Sequence, residues 1–146
     1  MYDRLKGQVI LLKNPDRTEI KEVLDNAKTI AVIGLSPNPM RTSYMVSKAM
    51  QDAGYRIIPV NPLADSILGE KSYATLQDIP ESVDIVNVFR RSEFLPDIAE
   101  DFLKLDAPVF WTQLNVVDEA VFNRLSEAGY TVIMDRCIKV EHAILK

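Results

Sequence analysis

The chain has 146 residues, about the length of one domain, so we expect a single domain over residues 1–146, with residues 1–27 as an N-terminal extension that carries one helix. Its 47% hydrophobic and 26% charged residues are typical of a globular protein and exclude a disordered or low-complexity chain. The net charge of −4 argues against a nucleic-acid surface, because phosphate contacts dominate that affinity. The apolar runs are too short to span a bilayer, and the N-terminal residues show no signal-peptide pattern. The lone Cys137 cannot form an internal disulfide, which agrees with a reducing compartment. We therefore expect a cytoplasmic protein without a membrane segment.

Short β-branched segments alternate with amphipathic stretches, a pattern typical of βαβ units. Strands are predicted, and numbered one to five in chain order, over Thr29–Gly34, Arg56–Val60, Asp84–Phe89, Pro108–Trp111 and Thr131–Met134. Helices are predicted over about Asp16–Ala27, over Thr42–Ala53 before Gly54, from Ser92, and from the capping Asp118 to Gly129, with one turn near Thr75–Asp78.

The continuously apolar strands indicate a parallel sheet buried on both faces. We therefore predict an α/β, Rossmann-like, doubly wound fold with a five-stranded parallel sheet and helices on both faces. Right-handed crossovers favour the strand order 3-2-1-4-5. Ligands of such sheets bind beyond the carboxyl ends of the strands, at the switch point beside strand one.

The loop after strand one, from Gly34 to Arg41, leads directly into a predicted helix. Helix-terminal amides favour an anion, Gly34 permits close backbone approach, Ser36 offers a hydroxyl, and Arg41 can pair with a phosphate. The alternative is that this loop, like any strand-to-helix turn, needs glycine and a capping hydroxyl for its geometry alone.

Two common nucleotide-binding motifs are missing from this loop. Ser36 and Pro39 replace glycines of G-x-G-x-x-G, and strand two ends in Asn61-Pro62 where an NAD site needs an acidic residue, which disfavours NAD. The loop also lacks G-x-x-x-x-G-K-[ST], so a P-loop NTPase has no support.

Strand three runs into Val88-Phe89-Arg90-Arg91, where Phe89 offers an apolar surface and the two arginines offer guanidinium groups that suit an anionic ligand. The alternative is that these residues form a solvent-exposed turn before a helix. After strand four, Trp111 could pack on a ligand or in the core, and Gln113 could orient a ligand.

Cys137 and His142 lack a third orienting group, so we expect a buried, unreactive thiol and no catalytic residues. One Cys and one His are also too few for a zinc site, so we expect no metal.

These residues together resemble the stand-alone CoA-binding domain proteins, whose fold is similar to that of the N-terminal domain of the succinyl-CoA synthetase α subunit. The likeness runs from about Lys28 to His142. It is carried by AVIGLSPNPMRTSY, IIPVNP, the G-x-K-S-Y stretch at Gly69–Tyr73, VFRRSE, FWTQLNV and MDRCIKVEH.

The resemblance implies coenzyme A, or acyl-CoA, bound across the sheet edge. It places the loop Gly34 to Arg41 at the phosphates, Asn61-Pro62 at the adenosine, Val88 to Arg91 beside the nucleotide, and Trp111 and Gln113 near the pantetheine arm. The predicted cofactor-binding residues are Gly34, Leu35, Ser36, Pro37, Arg41, Thr42, Ser43, Asn61, Pro62, Val88, Phe89, Arg90, Arg91, Trp111, Gln113 and Cys137.

The favoured function is CoA binding without catalysis, and the ligase activity of the synthetase relatives is not transferred. Three alternatives remain at this stage: an NADP-dependent oxidoreductase that holds the 2′-phosphate with Arg90 or Arg91, an acyl-CoA-transforming enzyme that uses Cys137, and a regulatory domain without a ligand. We expect a small-molecule nucleotide as partner, and a homo-oligomer stays open.

Overall fold

The computed structural model describes residues 2–3 and 10–146. The strands are β1 (Tyr2–Asp3), β2 (Ile10–Leu11), β3 (Thr29–Ile33), β4 (Arg56–Val60), β5 (Ser66–Ile67), β6 (Glu70–Lys71), β7 (Ile85–Val88), β8 (Val109–Thr112) and β9 (Thr131–Ile133). The α-helices are α1 (Arg17–Asn26), α2 (Thr42–Asp52), α3 (Leu95–Leu103), α4 (Glu119–Glu127) and α5 (Ile138–Leu145), and short 3-10 helices cover Leu76–Asp78 and Ser92–Phe94.

Among the described residues, five strands form one parallel sheet in the order β4-β3-β7-β8-β9. The predicted α/β fold class, with a five-stranded parallel sheet and helices on both faces, is confirmed. The predicted strand order 3-2-1-4-5 is wrong, because the third strand, β7, pairs with β3 and not with β4.

The outer edge of β4 explains this order. Pro59 has no amide hydrogen to donate, and its carbonyl points outward, where it accepts from the Tyr73 amide at 3.0 Å. The Asn61 amide donates to the Tyr73 carbonyl at 2.9 Å on the same side. The connection after β4 thus covers an edge that a proline already makes unsuitable for another full strand, so β7 pairs on the free side of β3.

Apolar side chains fill both faces of the sheet, as its continuously hydrophobic strands predict. On one face, α1, α2 and α5 pack against β3, β7 and β8 through buried residues that include Ile20, Met50 and Ile138. On the other face, α3 and α4 pack against the sheet through Phe102 and Leu125, among others. No helix in the described part of the chain is both long and apolar enough to cross a membrane.

The predicted helices occur with shifted ends. Asp16 and Asp118 cap α1 and α4, accepting hydrogen bonds from the amides of Glu19 and Val121. The helix predicted to start at Ser92 instead starts at Leu95, after a 3-10 turn. Ser92 does not cap it, because the Ser92 hydroxyl accepts a hydrogen bond from the Val117 amide at 2.9 Å. The sequence patterns did not predict α5 or the short pairs β1-β2 and β5-β6. The predicted extension over residues 1–27 lies partly outside the described residues.

Candidate functional site

A cavity of about 1370 Å³ lies at the carboxyl edge of the parallel sheet, where the loops after β7, β8 and β9 meet the start of α2. Its lining residues are Thr42, Phe89, Arg90, Arg91, Ser92, Glu93, Gln113, Leu114, Asn115, Val116, Val117, Asp118, Glu119, Ala120, Asn123 and Cys137. Open α/β sheets bind their ligands at this edge, beside the strands where the winding direction reverses. The reversal here lies between β3 and β7.

Gly34 brings the chain into close contact at the reversal point. Its φ of +81° is a conformation that glycine adopts without strain, and a Cβ there would lie 2.4 Å from the Phe89 carbonyl oxygen and 3.2 Å from Arg90 Cδ. The Gly34 amide donates to the Val60 carbonyl at 3.1 Å. The first loop therefore starts in contact with the residues that follow β7, and Gly34 and Arg90 lie side by side.

Hydroxyl groups within the first loop set its shape. The Ser43 hydroxyl accepts from the Ser36 amide at 3.0 Å, and the Ser36 hydroxyl accepts from the Asn38 amide at 3.0 Å. Leu35 is buried in the core, whereas Pro37 and Arg41 are exposed. This network turns the chain into α2, whose first-turn amides have no acceptor within the helix and favour an anion.

Asn61 connects the loop after β4 to the first loop through a side-chain hydrogen bond. Its Nδ2 donates to the Leu35 carbonyl at 2.9 Å, and its Oδ1 accepts from the Leu63 amide at 2.8 Å. Both ends of the amide side chain are thus engaged within the protein, and Pro62 beside it is exposed. Asn61 organises the edge of the site and, unlike the acidic residue of an NAD site, has no free carboxylate to bind a ribose.

The two consecutive arginines differ in their surroundings. Arg91 Nε lies 3.0 Å from a Glu93 carboxylate oxygen, so part of its charge is already paired. Arg90 makes no ion pair with the described residues, and its guanidinium stacks 4.3 Å from the ring centre of Phe94. Stacking keeps a guanidinium in place while leaving its N–H groups available, so Arg90 is the better placed of the two to bind an anion.

Of the predicted site residues Val88, Trp111 and Gln113, one lines the cavity and two lie in the core. Trp111 is fully buried, and its indole nitrogen donates to the Arg136 carbonyl at 2.8 Å, so that it supports the loop before α5 and does not line the cavity. Val88 on the neighbouring strand is likewise fully buried. Gln113 lines the cavity, and its Nε2 donates to Asn87 Oδ1 at 2.7 Å.

Cys137 is half-buried and lines the cavity at the start of α5. The expectation of a buried thiol is therefore wrong, because Cys137 is only partly buried. Burial was inferred because a lone cysteine usually packs as a small apolar residue, whereas here the chain turns at the end of β9 and leaves Cys137 in the position preceding a helix.

Sequence reasoning missed the residues that join the last two loops of the site. The Asp135 carboxylate accepts from the Asn115 amide at 2.7 Å, and the Thr112 hydroxyl accepts from the Asp135 amide at 3.3 Å. Asn115 and Asp135 both have positive φ, which Asn and Asp tolerate better than most residues. That preference was the available signal, since Asn115 and Asp135 each follow a predicted strand.

The cavity lining carries two guanidinium groups, Arg90 and Arg91, and three carboxylates, Glu93, Asp118 and Glu119, of which Glu93 pairs with Arg91. The described groups with displaced pKa values lie outside the cavity: for example, hydrogen bonding to the Arg124 guanidinium lowers the pKa of Glu100, and hydrogen bonding to Arg56 lowers that of Glu81. No group of three or more metal-ligating side chains occurs within the described ranges. Arg90, the start of α2 and the apolar part of the lining suit a ligand with an anionic group and an apolar portion.

Comparison with known proteins decides the family. Residues 28–143 match the family model of the CoA binding domain. The chain belongs to this family. The match covers β3 to α5, and thus all strands of the parallel sheet, in agreement with the sequence resemblance.

Three relatives illustrate the range of the family likeness. The chain is 60% identical over 135 residues to the uncharacterized protein YneT of Bacillus subtilis, covering 92% of this chain and 100% of that protein. It is 33% identical over 86 residues to the α subunit of the ADP-forming acetate–CoA ligase I of Pyrococcus furiosus, covering 55% of this chain but 19% of that subunit. A solved structure from Thermus thermophilus shares 36% identity and a TM-score of 0.87, covering 90% of this chain and all of that one.

Proposed function

We propose that this chain binds coenzyme A or an acyl-CoA in the cavity at the carboxyl edge of the sheet. The observation that carries the proposal is the contact of Gly34 with the Phe89 carbonyl and the Arg90 side chain, which brings the first loop beside a guanidinium that makes no ion pair with the described residues, at one end of a large cavity. The family supports the same ligand.

The two ends of the cavity suit the two ends of such a ligand. Arg90 and the start of α2 form a positive region for the phosphates, with Arg41 exposed at the N-terminus of α2. Phe89, Leu114, Val116 and Ala120 give apolar surface further along the cavity. A cavity of about 1370 Å³ is large compared with the roughly 300–1,000 Å³ of a drug-sized site, as an extended nucleotide requires.

The predicted site residues take different roles in this proposal. Thr42, Phe89, Arg90, Arg91, Gln113 and Cys137 line the cavity and would contact the ligand. Gly34, Leu35, Ser36, Pro37, Ser43, Asn61 and Pro62 would shape the loops, and Val88 and Trp111 would support them from the core.

Isothermal titration with CoA, dephospho-CoA and NAD tests the proposal. We expect binding of CoA, weaker binding of dephospho-CoA because it lacks the 3′-phosphate, and the weakest binding of NAD because Asn61 replaces the acidic ribose ligand. No heat with CoA at millimolar concentration, or tighter binding of NAD than of CoA, would contradict it. Turnover of an acyl-CoA that is lost in Cys137→Ser would instead identify an acyl-CoA-transforming enzyme.

A further inference from the structure

A polar side chain lies inside β7, a strand whose other residues are aliphatic. Asn87 is 1% exposed and sits between Val32 of β3 and Trp111 of β8 in the sheet register. Burying an amide is unfavourable unless it is hydrogen-bonded, so a residue of this kind in a strand needs a specific partner. That partner is Gln113, whose Nε2 donates to Asn87 Oδ1 at 2.7 Å.

The contact determines what Gln113 can offer to the cavity. Gln113 is 5% exposed, so it has little freedom to turn, and it forms part of the cavity wall. With Nε2 held by Asn87, its Oε1 remains as an acceptor that bonds to none of the described residues. The bond to Asn87 uses one N–H of Nε2 and sets the plane of the amide, so that Oε1 is available to accept a hydrogen bond from a ligand donor.

This polarity complements the other end of the cavity. Arg90 and Arg91 offer donors, which suit phosphate oxygens, whereas the Gln113 oxygen would repel them. The pantetheine arm of CoA carries amide N–H groups and no charge. A ligand with phosphates at the arginines and the arm at Gln113 satisfies both ends at once.

We propose that Asn87 is a positioning residue that holds Gln113 through its Nε2 and thereby presents Gln113 Oε1 as a hydrogen-bond acceptor for an amide N–H of the pantetheine arm. This inference rests on the proposed CoA binding and adds a positioning role for Asn87 and the sense of the hydrogen bond at Gln113.

The test compares CoA with adenosine 3′,5′-bisphosphate, which has the adenosine and two phosphates but no pantetheine arm. We expect Asn87→Leu and Gln113→Met each to raise the Kd for CoA about five- to tenfold, the effect of one hydrogen bond, with less than about a twofold change for the bisphosphate. Both variants remove the same interaction, so their effects should not add. The Kd of the double variant for CoA is expected to be no higher than the higher of the two single-variant Kd values.

A conservative variant distinguishes positioning from a structural role. Asn87→Asp keeps an acceptor oxygen for Gln113 Nε2, so it is expected to bind CoA more tightly than Asn87→Leu. If the two amides bonded in the opposite sense, with Asn87 as donor, Asn87→Asp would be the worse variant, and the proposal would be overturned. Equal losses for CoA and for the bisphosphate in Asn87→Leu and Gln113→Met would also overturn it, because a merely structural role affects both ligands alike.

The outcomes separate the two proposals. If the unaltered protein binds neither ligand, the proposed function fails. If it binds CoA and the ratio of the two Kd values is the same in Gln113→Met as in the unaltered protein, only the positioning proposal fails. Gln113→Met changes the first residue after β8, so it tests the contact with the pantetheine arm even if Asn87→Leu does not fold.

Discussion

Gly34 lies directly against the carbonyl group of Phe89: a Cβ on Gly34 would be 2.4 Å from that oxygen. Real Cβ atoms do not approach oxygen so closely, and the neighbour is backbone directly after the buried strand β7, tied to β3 by the Phe89 amide, so it cannot move aside cheaply. The glycine therefore fixes the distance between the first loop and the residues that follow β7, and with it one end of the cavity.

Gly34→Ala is expected to destabilise the fold and weaken CoA binding together. The left-handed conformation alone costs a non-glycine residue about 1–2 kcal/mol, and the clash with Phe89 adds to this. Denaturant unfolding and calorimetry with CoA measure the two effects. Gly54→Ala is the matched control, since Gly54 also has positive φ but a Cβ there would meet nothing within 4 Å. Equal destabilisation by the two substitutions would show that the close approach is unimportant.

Arg90→Ala and Arg41→Ala are each expected to weaken CoA binding by about 1–3 kcal/mol, because each removes a charge-assisted hydrogen bond to a phosphate. Arg91→Ala is expected to have a smaller effect, since Arg91 already pairs with Glu93. Calorimetry with CoA and dephospho-CoA shows which phosphate each arginine binds. Lys104→Ala, which removes an exposed cation beyond the far end of α3, controls for net charge. Unchanged affinity in both Arg90→Ala and Arg41→Ala would remove the phosphate site assigned here.

The sequence predicted the fold class because strand and helix periods are local properties, whereas strand order depends on contacts made across the sheet. Even so, Pro59 carried a usable signal: proline within a strand indicates an edge, and this would have placed strand two at the edge of the sheet and strand three beside strand one. The coverage of that edge by Tyr73 could not be predicted, because the segment after β4 has no regular pattern.

For the site, the sequence indicated which loops to inspect but not which side chains face the ligand. Gly34 and Arg90 come together as expected, because the carboxyl ends of adjacent parallel strands share one edge. Trp111 and Asn61 were harder to place, since a residue after a strand can point into the core or into a loop contact, and only the tertiary structure decides which. The Asn87–Gln113 pair joins residues 26 positions apart, a separation at which no sequence pattern predicts a contact.

Asn14 protects the backbone that follows β9, the edge strand. Its Nδ2 donates to the Met134 carbonyl at 2.8 Å, and its Oδ1 accepts from the Met134 amide at 2.9 Å. Asn14→Ala is expected to lower the free energy of unfolding by about 1–3 kcal/mol, because both backbone groups lose their partner. Asn14→Asp keeps the acceptor for the amide but loses the donor, so an intermediate loss is expected. Asn26→Ala, at an exposed position, is the control in denaturant unfolding. Equal stability of Asn14→Ala and Asn26→Ala would contradict a role for the paired contact.

An ion pair joins Asp25 of α1 to Lys146, the residue after α5. It should make the stability of the fold depend on pH in the acidic range. Hydrogen bonding to Lys146, at 2.6 Å, and to Lys21, at 2.8 Å, lowers the pKa of Asp25 from 3.8 to about 2. The folded state therefore favours the ionised carboxylate, and its contribution to stability is complete above the unfolded pKa, near 3.8, and is lost as the pH falls through about 2.

The melting temperatures of the unaltered protein and Asp25→Asn are thus expected to differ most above about pH 4 and to converge as the pH approaches 2. Both partners are exposed to solvent, so molar salt should reduce the difference at every pH. Asp106→Asn removes an exposed carboxylate that pairs with none of the described cations, and it controls for net charge. A difference in melting temperature that stays constant from pH 2 to pH 6 would mean that Asp25 acts through packing and not through its charge.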